Sequence, residues 1–442
     1  MKKRGAVGSY PDEQEFWPQE QLSRYQLRKV KKVLAHAQRN LPFYQRRFRA
    51  AHIDPNSVRD FQDFSQMPTF TKADVLQEMR QKKSFAMGME TLDRSLPAVL
   101  CMTSGTLGTA FLYQPKRWCS MRGDSLARAY WWAGLRPGMR MLMAAPAWHS
   151  LAVQETRVVE RLGATCVIPW GTFLPTFSAN FFDALKDIRP AFVSMFLPMF
   201  YALLAECRRR GISPRAVFDS VEYLLVGGAP MTPRSRESLT RELGVQDIFE
   251  GLGNPEGLTA MECSFHCGHH IFVDCCYVEI IDPKTGEILP PGKRGNVVIT
   301  SLIPHGSVYI RYDTQDLGEI LTQPCECGRT WPLMEVYDRR SNTVQVAGKE
   351  IVPFDVRLCL DEVGELIGKP FAVVRSKTGE KVLRLLIQKP SAGDPEKLGA
   401  QLRSLIREKL QIEAREQWTE ELPERWKGVT VIEEGELGVS RV

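Results

Sequence analysis

Four residues in two short stretches have the types and spacing of a metal site. Cys263 and His270 stand in MECSFHCGHHIF, and Cys325 and Cys327 stand in QPCECGRT. Thiolates and imidazoles are the donors that close a tetrahedral zinc shell, and short ligand pairs separated by a long insert are a common layout of such sites. His266, Cys267 and His269 compete with His270 for the fourth place, whereas the adjacent Cys275 and Cys276 do not readily serve the same ion. Four protein ligands fill the shell, so the expected metal is structural zinc.

A second stretch bears on phosphate chemistry. Thr103-Ser104-Gly105-Thr106-Leu107-Gly108 follows a short apolar run at 99–102. Hydroxyls and glycines in a loop after a strand let backbone N–H groups close on a triphosphate. Such a loop needs a rigid frame. From 98 to 300, apolar runs at 141–145, 165–169, 191–195 and 221–226 alternate with helical patterns, which predicts parallel strands with crossover helices. Residues 277–300 carry two strand patterns around PKTG and PPGKRG turns, which predicts an antiparallel, barrel-like piece. Upstream, Leu22, Tyr25, Leu27, Val30, Val33 and Leu34 form a helical stripe that Pro42 ends, and Thr71 is the expected N-cap of a further helix. After Arg339-Arg340 the pattern resets to short strands, a helix in VRLCLDEVGEL and a charged amphipathic helix at 394–411. The fold class expected is α/β: a large domain over 1–339 with the metal ligands embedded in it, and a smaller α+β domain over 340–442.

The bulk properties exclude other classes. The chain has 442 residues, 43% hydrophobic and 25% charged, with a net charge of +6, which fits a soluble protein of two or more domains. Basic residues are scattered apart from short runs such as Arg208-Arg209-Arg210, and no basic stripe with interleaved aromatics argues for nucleic acid. No apolar stretch is long enough to span a membrane, and the basic start lacks the apolar segment of a secretory signal. Eleven cysteines spread over the chain, with one cluster at metal spacing, fit a reducing cytoplasm.

The loop resembles the TSGTTGKP motif of the adenylate-forming, or AMP-binding acyl-CoA synthetase, superfamily, and the chain is similar to the phenylacetate–coenzyme A ligase family in particular. LPFYQRRF, DFQDF, MPTFTKADV, LLVGGAPMTPRSRESL, HHIFVD, VEIIDPKTGEILPPGKRG, RYDTQDLG and CECGRTWP follow that family's order. The resemblance implies a ligase that joins a carboxylic acid, here an aryl acid, to AMP from ATP with Mg²⁺, and passes the acyl group to coenzyme A or another acceptor. It implies a mobile small domain; the sequence does not fix the oligomeric state, and a homodimer is one option. It sets the main chain of Gly228, Ala229 and Pro230 against adenine, and Asp316 on the ribose hydroxyls, where one carboxylate satisfies two donors. Arg339 reaches the ribose or phosphate, and Thr103, Ser104, Gly105, Thr106 and Gly108 hold the phosphates. Trp148, His149 and Trp170 line the acyl pocket, and His270 becomes the preferred fourth metal ligand.

Three departures fall on acid activation. Thr109 stands where the loop has lysine, with Lys116 seven residues on as a substitute. Gly253 stands where a glutamate holds Mg²⁺, flanked by Glu250 and Glu256. The tail, EEGELGVSRV, has no lysine, and the nearest is Lys427. The nucleoside features survive, so a second expectation is a homologue that binds AMP or ready-made activated acyl groups without adenylating.

Overall fold

Local sequence sets the helical N-terminal layer. The structure, a computed structural model, describes residues 12–82, 98–102, 110–144, 150–167, 176–376, 381–390, 392–420, 422 and 431–436. In α1 (Gln19–Asn40) the residues Leu22, Gln26, Val30, Val33, Leu34 and Ala37 form the buried stripe. Pro42 lacks an N–H to continue that helix, and it opens α2 (Pro42–Ala50) at a position where the missing donor costs nothing. Two further helices follow, α3 (Phe61–Ser65) and α4 (Lys72–Lys82). Before α4, the N–H and Oγ1 of Thr71 donate to Asp74 Oδ2 at 2.7 and 3.0 Å. The cap is therefore made by the carboxylate reaching back, one half of a capping box.

β1 (Ala98–Met102) and β2 (Phe111–Pro115) pair as an antiparallel ribbon. The alternation that follows is α5 (Lys116–Trp132), β3 (Arg140–Met143), α6 (Ser150–Leu162), β4 (Thr165–Val167), α7 (Thr176–Ile188), β5 (Phe192–Phe196), α8 (Leu197–Arg209), α9 (Pro214–Val217), β6 (Tyr223–Gly227), α10 (Pro233–Leu243) and β7 (Asp247–Gly253). Then come only strands: β8 (Thr259–Glu262), β9 (His269–Ile271), β10 (Cys276–Ile281), β11 (Gly295–Ser301), β12 (Tyr312–Ile320) and β13 (Leu333–Arg339). β3 to β13 make one eleven-stranded sheet in the order β10-β11-β12-β13-β9-β8-β7-β6-β5-β3-β4. The β4-β3-β5-β6-β7 half is parallel, as crossover helices require, while the pairs β7-β8, β8-β9, β9-β13, β10-β11 and β11-β12 are antiparallel.

The chain divides into two compact units. One comprises Met1–Phe196, Val217–Gly227 and Val245–Val336; the other comprises Leu197–Ala216, Gly228–Gly244 and Tyr337–Val442. In the first, α1 to α4 pack with β8 and β10 to β12 into one core, while α5, α6, β3 and β5 share another with Trp331. Buried in the first core, Arg311 pairs with Glu279 at 3.0 Å and also donates to the carbonyls of Ser65 and Met67.

In the second unit β14 (Val344–Val346) and β15 (Lys349–Ile351) form a hairpin ahead of α11 (Pro353–Leu360). A four-stranded sheet follows, built from β16 (Phe371–Arg375), β17 (Val382–Gln388), β18 (Glu413–Thr419) and β19 (Val431–Glu433), with α12 (Pro395–Leu410) connecting β17 to β18. Asp394 caps α12, and Leu398, Leu402 and Ile406, four residues apart, face the core. Thr232, the N-cap of α10, donates to Asp361 at the end of α11 at 2.6 Å, both buried.

Glu155 of α6 is 0% exposed and accepts hydrogen bonds from Tyr130 of α5 and Ser194 of β5. Burial pushes its carboxyl up from 4.5 to about 7, against the pull of those two donors. The folded state therefore holds a proton that the unfolded state releases between those pH values, and stability falls as pH rises through that window. Between pH about 5 and about 8 the wild type is expected to lose on the order of 3 kcal/mol relative to Glu155→Gln. Urea unfolding of both proteins across that range measures it; parallel pH profiles contradict the assignment.

Candidate active site and metal cluster

The parallel half of the sheet presents its carboxyl ends in sequence. β6 leads to Gly228-Ala229-Pro230, and β7 to Gly253 and the turn at 254–258. Residues just past the carboxyl ends of such strands are where α/β sheets hold ligands. At the end of β6 the backbones crowd: a Cβ on Gly227 would meet the Gly251 carbonyl oxygen at 2.8 Å, and Gly228 turns with φ +83. Only glycine accepts both demands without strain.

The turn after β7 is held from two sides. Asn254 Oδ1 accepts from the N–H groups of Gly257 and Leu258 at 2.9 and 2.8 Å. Arg122, buried on α5, donates to the carbonyls of Gly257 and Leu258, each at 2.7 Å. Arg122 was not singled out in the sequence; its signal was a charge within the otherwise apolar face of WCSMRGDSLARAYWW. Glu256 sits half-buried in this clamped turn, and Gly253 is exposed at its entrance. Glu250 lies three residues inside β7, buried in a row with Glu262 and His269. Lys116 is the exposed first residue of α5, directly after β2.

Asp316 is half-buried on β12 where the strand is kinked. Gln315 has φ +60, with its N–H on Asp313 Oδ1 at 2.8 Å, and the Asp316 N–H donates to Thr314 Oγ1 at 3.1 Å. Asp316 belongs to the first unit; Gly228, Ala229, Pro230 and the exposed Arg339 at the end of β13 belong to the second. Thr103, Ser104, Gly105, Thr106, Gly108, Thr109, Trp148, His149, Trp170 and Lys427 lie outside the described residues, as does the tail from 437 onward.

The four sulfur and nitrogen donors meet. The ligand atoms of Cys263, His270, Cys325 and Cys327 all lie within 4.8 Å of one another. Cys263 Sγ is 3.4 Å from Cys325 Sγ, and Cys327 Sγ is 3.4 Å from His270 Nε2. His270 Nδ1 faces the Trp331 carbonyl at 3.3 Å, which favours the tautomer with its lone pair on Nε2, toward the thiols. The competing residues are engaged elsewhere. His266 lies between Glu262 and Asp247 at 3.2 and 3.1 Å, Cys267 donates to the Phe265 carbonyl, and His269 faces Glu335 at 3.3 Å. Within the cluster, hydrogen bonds from Cys263 and Cys325 pull the Cys327 thiol far below its ordinary value, while the Cys263 and Cys325 thiols are pushed up. Thiols bind a cation as thiolates, so a metal held here would displace their protons.

Comparison with known proteins gives these sites a family. Residues 22–302 match the AMP-binding enzyme family, and the chain belongs to it. It is 29% identical over 390 residues to a phenylacetate-coenzyme A ligase of Thermus thermophilus, covering 86% of this chain and 85% of that protein. With the Escherichia coli phenylacetate-coenzyme A ligase it shares 30% identity over 312 residues, 68% of each. Its fold matches the crystal structure of a 2-hydroxyisobutyryl-CoA ligase in the postadenylation state with TM-score 0.85 and 20% identity, covering 96% of this chain and 92% of that one. The chain is thus an adenylate-forming enzyme of acyl-CoA-ligase type, in the phenylacetate–coenzyme A ligase group. Among the described residues no helix is long and apolar enough to cross a membrane.

Replacing Arg122 by Met keeps the stem and removes the donors to the 254–258 turn. The expected result is faster amide exchange in that turn and a loss of about 2 kcal/mol. Hydrogen-exchange mass spectrometry and urea unfolding check both; unchanged exchange there rules out the clamp.

Proposed function

We propose that the chain activates an aryl or similar carboxylic acid with ATP and passes the acyl group to coenzyme A through an acyl-adenylate. The observation that carries the reading is the placement of GGAP at the carboxyl end of β6 in a chain of this family. In this reading the main chain of Gly228, Ala229 and Pro230 lies against adenine, Asp316 accepts the ribose hydroxyls and Arg339 reaches the ribose or phosphate. Residues 103–108 cradle the phosphates. Trp148, His149 and Trp170 form the acyl pocket, in keeping with relatives named for phenylacetate.

The residues do not fit the expected Mg²⁺ carboxylate. Position 253 is glycine, and Glu250 is turned into the buried row with Glu262 and His269. Glu256, on the Arg122-clamped turn, is the flanking carboxylate that remains, and Lys116 is the cation we assign in place of the loop lysine. A second reading, favoured by Gly253 and Thr109, is a homologue that binds AMP or an activated acyl group without making it.

Acid-dependent ATP–pyrophosphate exchange with a panel of aryl and alkyl acids separates the two readings. The expected outcome is measurable exchange that falls at least about tenfold in Asp316→Ala, a loss of about 1.4 kcal/mol or more of transition-state stabilisation. A Cβ on Gly253 would make only ordinary contact, 3.5 Å from the Leu258 carbonyl oxygen, so Gly253→Glu is sterically allowed. That variant should raise exchange about tenfold by returning a carboxylate to the metal. No exchange from either protein, with AMP still bound in calorimetry, favours the second reading.

We assign the Cys263, His270, Cys325 and Cys327 cluster to structural zinc. Three thiols and an imidazole whose far nitrogen is held by a backbone carbonyl suit that ion. Bound there, it would tie the end of β8 and strand β9 to the loop between β12 and β13. The expected content is one zinc per chain, lost in Cys325→Ser with a lowered thermal midpoint; a wild type that retains full stability after chelation contradicts a structural role.

A further inference from the structure

The strands that present the thiolate cluster carry a second set of metal-ligating side chains on their other face. In the antiparallel register Gly251 pairs with Met261, which sets Glu250 beside Glu262, and Glu262 pairs directly with His269. Glu250, Glu262 and His269 thus form one cross-strand row. Met261 and His270 form the next row, and side chains in adjacent rows point to opposite faces.

We infer that Glu250, Glu262 and His269 form a second metal site, for a divalent transition ion that takes carboxylate oxygen and imidazole nitrogen. The three side chains are 2%, 3% and 2% exposed, and one donor atom of each lies within 4.8 Å of the others. Neither ring nitrogen of His269 has a hydrogen-bond partner among the described residues, and Nε2 lies 3.9 Å from Glu250 Oε1. Donors in a tetrahedral shell of radius about 2.0 Å stand about 3.3 Å apart, so the row closes on an ion with a small contraction. The opposite nitrogen, Nδ1, faces Glu335 Oε2 at 3.3 Å. A carboxylate behind one ring nitrogen with the other left for a cation is how ligating histidines are oriented.

Glu262 is oriented in the same manner. Its Oε2 accepts from the Glu250 N–H at 2.6 Å and faces His266 Nδ1 at 3.2 Å, while His266 Nε2 faces Asp247 at 3.1 Å. Two buried ligand carboxylates, with Asp247 and Glu335 close behind, make a concentration of negative charge that a divalent ion offsets. Three protein donors leave at least one coordination position open. This site is independent of the acid-activation reading, because its readout is metal binding and not turnover.

The test is cobalt titration of the chelator-stripped full chain, with absorption spectra and metal counting after gel filtration. Two equivalents are expected. One carries thiolate-to-cobalt charge transfer from the cysteine cluster, and the other adds only the weaker bands of an oxygen and nitrogen site. Glu250→Gln and His269→Asn should each lose the second equivalent and keep the thiolate band, whereas Cys325→Ser should lose the band and keep one equivalent. Saturation of the wild type at one equivalent overturns the proposal and leaves His269 as an ion-pair partner of Glu335. Two equivalents retained in both Glu250→Gln and His269→Asn also overturns it. If those variants fail to fold, the wild-type stoichiometry and the Cys325→Ser count decide.

Discussion

The cross-strand register of β7, β8 and β9 is the constraint on which both side-chain clusters depend. Because side chains alternate with period two, His269 and His270 face opposite ways, as do Met261 and Glu262. A slip of one residue would carry each donor to the wrong face and dissolve both clusters at once. The register is pinned from two sides: β13 pairs Leu333 with His270 and Met334 with His269, and the turn before β9 closes through Gly268. That glycine has φ +118, and a Cβ there would lie 2.6 Å from Leu321 Cδ1, so no other residue fits without displacement.

Around this hairpin the charges and aromatic rings act together. Arg128 of α5 lies 4.7 Å above the Trp331 ring and pairs with Asp12 at 2.5 Å and Asp274 at 3.3 Å. Glu15 is fully buried and pairs with Arg329 at 2.7 Å. Burial raises its carboxyl above the ordinary range despite Arg329 and Arg128. Such pairs contribute little to net stability once the desolvation of both charges is counted. Here they join the N-terminal segment, α5 and the loop that carries Cys325 and Cys327. Six residues along α5 from Arg128, about 9 Å, Arg122 clamps the turn after β7. One helix therefore braces both the loop of the Cys/His cluster and the edge of the candidate active site.

The departures from the family pattern acquire physical meaning on this frame. At Gly253 the strand end lacks the carboxylate while the turn beyond it stays braced by Asn254 and Arg122. Glu250 cannot move into the gap without leaving a row built from three strands. Fold and chemistry are separable in this superfamily as in others.

By itself the sequence determined the alternation of strands and helices, the helix break at Pro42, the antiparallel pair at 277–300 and the donor types of the thiolate cluster. Each of these is a local property: a period of 2 or 3.6, a missing N–H, a turn signal, a ligand spacing. Only the tertiary structure decided which of His266, His269 and His270 meets the thiols, that Glu250 joins Glu262 and His269, and that Arg122 holds a turn some 130 residues away in sequence. Those outcomes rest on strand register and on contacts between distant segments. No local pattern encodes them, because neighbouring residues in a strand are chemically alike in sequence yet face opposite sides of the sheet.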